Sequence, residues 1–196
     1  MKYKLTDETI EVYGRTLHRI QALVDVNGNV KAGDLGGFVE TEENLSQVSD
    51  EAWVSDEAWV YGKARVYGEA QVSGEAQVSD EARVSGKAWV SGKAQVSGKA
   101  QVYGEAQVSG EAQVKSPHDY ICIFPIGSRH ACLTLTRDGW AFTGCFKGSW
   151  DDLLAQSAKG EGREKWTSQY TAAVEAAKVI FGITAEPAEG TPEQAE

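Results

Sequence analysis

Basic charge is scarce in this chain. Nineteen Lys and Arg stand against 29 Asp and Glu among 196 residues, giving a formal net charge of -10 and a pI near 4.9. Nucleic-acid affinity rests largely on Lys and Arg neutralising phosphates, so this balance argues against direct nucleic-acid binding. Long apolar runs are also missing. None approaches the ~18 residues of a membrane span, and the opening "MKYKLTDETI" has no apolar signal-peptide centre. The expectation is a cytoplasmic protein without a membrane partner. Cysteine is sparse: Cys122, Cys132 and Cys145 lie late in the chain, show no CxxC spacing and form an odd set. That pattern speaks against a zinc site and suits a reducing compartment.

What the chain has instead is a period of six. From Val48 the frame V-[SY]-[GD]-[EK]-A-[QWR] runs through eleven consecutive hexads, with Val at every first position from 48 to 108 and Ala at every fifth. Val114 opens a twelfth, which "KSP" ends. Valine every sixth residue fits no helical period. Polar flanks on both sides of each Val give the in/out alternation of a very short strand, and Gly or Asp two residues later is turn chemistry.

This frame resembles the repeat of the hexapeptide-repeat proteins, which fold as a left-handed parallel β-helix. The resemblance implies a triangular coil of about 18 residues built from three hexads. Residues 18 apart then stack at roughly 4.8 Å. The fourth-position columns carry the vertical logic this demands: Glu51, Glu69, Lys87, Glu105; Glu57, Glu75, Lys93, Glu111; and Lys63, Glu81, Lys99. One coil of Lys lies between coils of Glu, an arrangement that penalises a slipped register.

Four segments follow. Residues 1–47 read as an N-terminal β cap, in which "TLHRIQALVDV" alternates Ile20, Ala22, Val24 and Val26 on one side. Residues 48–114 are the helix. Residues 115–183 read as a small α+β domain with a hairpin and two helices. If Asp138 and Gly139 form a two-residue loop, Leu135 faces Phe142 and Cys132 faces Cys145, and Leu133, Leu135, Trp140 and Phe142 share one apolar face. In a reducing compartment that cysteine pair is read as buried thiols. Ser149 and Asp152 resemble a capping box ahead of a helix with Trp150, Leu153 and Leu154 on its stripe. A second helix, about 165–181, buries Trp166, Tyr170, Ala173, Val174, Ala177 and Phe181. Residues 184–196, with four Glu, two Pro and no apolar residue larger than Ala, read as a disordered acidic tail.

Several chemistries of the family can be weighed. Its acyltransferases use a His as general base and carry a loop extruded from the coils. Here Val48–Val114 holds no His and no insertion, which leaves only His118 and His130 as catalytic candidates, with acetyl-CoA as the cofactor under that alternative alone. The family's carbonic anhydrases need three His ligands, and one of the chain's three, His18, lies in the cap. No metal site is expected. Ice-binding members display Thr ladders, and the repeat has no Thr.

The coils instead display Trp53, Trp59, Tyr61, Arg65, Tyr67, Arg83, Trp89 and Tyr103 at positions flanking the inward Val. These read either as the interface of a homotrimer, the usual assembly of this family, or as a recognition patch. In "PIGSRH", the residues Gly127, Ser128, Arg129 and His130 offer a turn able to hold an anion. "RIQALVDV", "KAGDLGGFVE" and "ENLSQ" also resemble the opening of hexapeptide-repeat proteins encoded by phages and prophages. The leading expectation is therefore a non-catalytic scaffold or binding protein that presents surfaces in several copies and sequesters a host component, a defence protein or a small nucleotide, in the host cytosol. Alternatives are an acyltransferase with its site where helix and C-terminal domain meet, and an acidic DNA mimic. Against the last, Val48–Val114 sets ten acids against six bases.

Overall fold

The computed structural model of the protein describes residues 1–48, 51–159 and 162–183. The expected tail, 184–196, lies outside the described residues. The chain opens with strands β1 (Tyr3–Val12), β2 (Arg15–Ala22) and β3 (Leu35–Val39) and a 3-10 turn at Glu42–Asn44. Eleven two-residue strands follow: β4 (Trp53–Val54), β5 (Trp59–Val60), β6 (Arg65–Val66), β7 (Gln71–Val72), β8 (Gln77–Val78), β9 (Arg83–Val84), β10 (Trp89–Val90), β11 (Gln95–Val96), β12 (Gln101–Val102), β13 (Gln107–Val108) and β14 (Gln113–Val114). They stack in three parallel ladders, β4-β7-β10-β13, β5-β8-β11-β14 and β6-β9-β12, so the repeat is a β-solenoid of about four turns. Each strand pairs with the one 18 residues on, as Trp89 does with Gln107.

Every Val from Val54 to Val114 and every Ala from Ala52 to Ala112 is buried in one continuous core. Each fully buried Val contributes about 2 kcal/mol of apolar burial. Four turns stack a positive-φ Gly on the Gly one coil onward, Gly68 on Gly86, Gly74 on Gly92, Gly86 on Gly104 and Gly92 on Gly110. A Cβ on Gly86 would stand 2.9 Å from the Gly104 nitrogen, so both the space and the positive φ favour Gly there. Asp56 and Asp80 break this rule at φ 55° and 59°. Each compensates by reaching one coil onward, where Asp56 accepts from the Gly74 N–H and Asp80 from the Gly98 N–H, both at 2.9 Å.

The first coil differs from the regular frame. Val48 is 67% exposed, and its expected place belongs to fully buried Leu45, which bridges Val66. Pairs here are 21 residues apart (Val39 with Val60, Leu45 with Val66), whereas later rungs are 18 apart (Val54 with Val72). The chain between Leu45 and Val54 is three residues longer than one hexad, and Val48 falls within it. Strand β3 joins the β5 ladder in parallel, and β1 and β2 extend it as an antiparallel ribbon. Strand β1 has a weak pattern because only its ends, Tyr3 and Val12, are buried. Ile20 and Ala22 point inward as the alternation predicts, but β2 ends at Ala22 and Val24 is exposed.

Beyond the solenoid come β15 (Tyr120–Ile126), β16 (Ala131–Thr136), β17 (Trp140–Thr143) and β18 (Phe146–Ser149), an antiparallel sheet in chain order. Helices α1 (Trp150–Ser157) and α2 (Glu164–Phe181) follow. Ser149 and Asp152 form the expected capping box. The hairpin register is one residue off the expectation: Leu135 pairs with Ala141, not Phe142. The loop holds three residues, Arg137–Asp138–Gly139, because Thr136 closes it, its carbonyl accepting from Gly139 N–H and its hydroxyl from Trp140 N–H.

A one-residue slip turns each side chain to the opposite face. Leu133, Leu135 and Ala141 therefore meet Trp150, Leu153, Val174 and Phe181 of the helices, while Phe142, Trp140 and Tyr120 join the solenoid core. The expected single apolar face is thus two faces, and the sheet lies between solenoid and helices. Trp166 and Tyr170 of α2 are only half-buried.

Two outcomes test this packing. Asp80→Ala loses a hydrogen bond and keeps an unfavourable positive φ, so it lowers unfolding stability by about 1–2 kcal/mol, whereas Asp80→Gly costs less; urea midpoints measure both. Burial pushes the Tyr120 phenol up to about 12, and its hydroxyl donates to Gln101 O at 2.9 Å. A raised acid pKa favours folding below the unfolded value near 10. That contribution therefore fades between pH 10 and about 12. Tyr120→Phe should cost about 1 kcal/mol at neutral pH and flatten the alkaline loss in a pH series of unfolding curves.

Candidate binding surfaces

Each rung turns its Val inward and the residues on either side outward, so the outward residues form columns along the ladders. On the β6-β9-β12 face, Arg65, Arg83 and Gln101 make one column and Tyr67, Ser85 and Tyr103 the other. Arg65 lies 3.6 Å from Glu43, and Arg83 has no acid at ion-pair distance among the described residues. Tyr67 is 41% and Tyr103 62% exposed, the latter edge-on to Tyr120 with ring centroids 6.4 Å apart. A hollow of 480 Å³ opens beside Arg65, Tyr67 and Arg83, and Glu42, Glu43 and Gln47 also line it.

The β4-β7-β10-β13 face corrects one expectation. Trp53 is only 2% exposed, because Tyr3 meets it edge-on (6.4 Å) and Val26 and Val30 pack on the same cluster. Two rungs on, Trp89 remains 52% exposed, its indole N–H donating to Ser73 Oγ at 3.2 Å. An open groove of 810 Å³ runs between Trp89 and Leu35, with Asp34, Glu69, Gln71 and Lys87 on its sides. On the third face Trp59 and Tyr61 are half-buried against Val12, Leu17 and Phe38. Two of the expected Lys–Glu column contacts close to ion-pair distance, Lys63–Glu81 at 3.8 Å and Lys87–Glu69 at 3.7 Å. Exposed pairs of this kind contribute less than about 1 kcal/mol each.

The C-terminal candidates occupy different surroundings. Gly127 donates its N–H to Gln169 Oε1 (3.1 Å) and is packed so tightly against the Tyr170 hydroxyl that a Cβ there would collide. Ser128 and His130 are exposed, His130 at φ 50°. Arg129 turns to the Cys145 thiol, 3.2 Å away, beside a cavity of 170 Å³ that Arg163 and Gln156 also line. His118 is exposed in the connection after the last rung and does not meet His130. The cysteines correct the expected pairing: Cys122 and Cys132 form a disulfide across β15 and β16, and Cys145 is free and exposed. Cys122 faces Thr134 in the ladder, diagonal to Cys132, while the slipped hairpin register carries Cys145 into the turn beyond β17. Among the described residues no group of three or more His, Cys, Asp and Glu could hold a metal ion. Among the same residues no helix is long and apolar enough to cross a membrane.

Residues 76–92, nearly one full coil, match the family model described as YdcK Beta solenoid repeat. That likeness covers one coil of the stem and assigns neither the remaining coils nor the two ends. A comparison with curated proteins finds no match.

Residues that close the solenoid ends carry no periodic signal and are missed from sequence. Lys2 and Asn44, both buried, donate to the carbonyls of Ala52 (2.9 Å) and of Gly62 and Ala64 (3.1 and 2.9 Å). At the other end, Tyr103, Gln107 and Gln113 donate their N–H groups to Tyr120 Oη (3.4 Å), Thr134 Oγ1 (3.0 Å) and Asp138 Oδ2 (2.6 Å).

The guanidinium of Arg129 beside Cys145 holds that thiol below its ordinary range. Native alkylation should therefore label one cysteine, Cys145, with a pH midpoint below the usual thiol value of about 8.5. Arg129→Gln should move that midpoint upward; labelling of two or three cysteines, read by peptide mass mapping, would contradict the disulfide.

Proposed function

We propose that this protein is a non-catalytic binding scaffold. Its stem is a left-handed, triangular β-helix closed by the N-terminal strands as a cap, and it associates as a trimer with stems parallel. The observation that carries this reading is the exposure of Trp89 and Tyr103, 52% and 62%, on faces whose neighbouring positions are Ser and Gln. Large rings left in water on a rigid ladder are the residue types that anchor interfaces, and two-chi aromatic side chains lose little entropy on binding. The stacked ladders favour the same reading, since a surface built on backbone pairing in every rung is already organised before a partner arrives. The phage-like opening segment supports a host component as that partner.

Native mass spectrometry of the purified chain tests the proposal. The expected result is a trimer, which Trp89→Ala with Tyr103→Ala either dissociates or leaves intact while removing a retained partner. A monomer that retains nothing overturns it.

A further inference from the structure

Strands β6 and β9 pair in register, so Arg65 stands directly opposite Arg83, one strand spacing away (roughly 4.8 Å). Like charges facing each other across a ladder are unfavourable. Two solenoid lysines meet an acid on the neighbouring rung, Lys63 with Glu81 and Lys87 with Glu69, whereas the rung neighbour of Arg83 on the Arg65 side is itself a cation. Here Glu43 reaches Arg65 only at 3.6 Å, with both side chains mostly in water, and Arg83 has no acid at ion-pair distance among the described residues.

Both arginines line one hollow, and two guanidinium groups in the same hollow supply enough N–H donors to hold an oxyanion between them. Tyr67 follows Val66 on the same rung as Arg65 and lines the same 480 Å³ hollow, giving a flat ring beside the cationic pair. Glu42 and Glu43 line the same hollow, Glu43 beside Arg65, which limits it to a ligand of low charge rather than a polyanion.

We propose that Arg65 and Arg83 bind the oxyanion of a small ligand, a phosphate ester or a carboxylate, across two rungs of the solenoid, with the ligand's uncharged ring against Tyr67. This rests on the reading of the chain as a binding protein.

Isothermal titration calorimetry of the full chain at low salt tests it with three probes: adenosine monophosphate, benzoate and adenosine. The expected result is heat from at least one of the two anions and none from adenosine; the anion that binds identifies phosphate ester or carboxylate as the source. Arg83→Gln, at an exposed position that leaves the core intact, should weaken that anion about tenfold or more, and Arg83→Lys should recover only part of the loss. Raising salt should weaken binding as well. Silence from both anions, or equal affinity in wild type and Arg83→Gln, overturns the site. A trimer that binds neither anion removes this site and leaves the scaffold reading standing, whereas a monomer that binds one does the reverse.

Discussion

In a parallel solenoid the backbone amides of the ladder strands point along the axis, and that one constraint shapes the rest of this molecule. Within the ladders Trp89 N–H donates forward to Ala106 O and Ser91 N–H to Val108 O, both at 2.9 Å. The pattern repeats in each coil, so the stack has a direction, with bare carbonyls at its first coil and bare N–H groups at its last. Both kinds of group are costly when buried without a partner, and an open ladder end also invites another strand. The two ends therefore need opposite chemistry.

The chain supplies it. At the first coil the partners are donors: N–H groups of Phe38, Glu40 and Ser46, the Asn44 amide and the Lys2 ammonium. At the last they are oxygens: a phenol, a threonine hydroxyl and a carboxylate. Thr134 and Tyr120 can play this part only because β15 to β17 lie flat on the solenoid, one face against its core and the other under α1 and α2. The C-terminal unit is consequently fixed to the stem by packing and by hydrogen bonds, not tethered as a mobile appendage. The sides of the stem stay open to solvent, and Trp89, Tyr103 and Arg83 stand there.

The repeat itself was legible because its information is local. Val, Ala and the turn residue recur at fixed spacing, and in-register stacking follows from that spacing alone. Trouble arose where a short segment meets the rest of the molecule. Asp138-Gly139 looks like a two-residue hairpin loop, yet Thr136 closes a three-residue one, and the single-residue slip redistributes Leu135, Phe142 and the cysteines. Val48 fits the frame in every residue of its hexad and is nonetheless exposed, because Leu45 takes the place opposite Val66 and the chain from Leu45 to Val54 carries three extra residues. Trp53 occupies an outward position that Tyr3 and the neighbouring valines then cover.

Of the candidate surface, the sequence by itself determined which residues face outward from the ladders and which charges adjoin along the columns, since both are consequences of an 18-residue coil. Only the tertiary structure decided which of those outward residues stay in water, which cysteines pair, and how each end of the stack is satisfied. The physical reason is distance along the chain. Lys2 meets Ala52, Asn44 meets Ala64 and Thr134 meets Gln107, contacts between segments with no shared period, so no pattern within either segment records them.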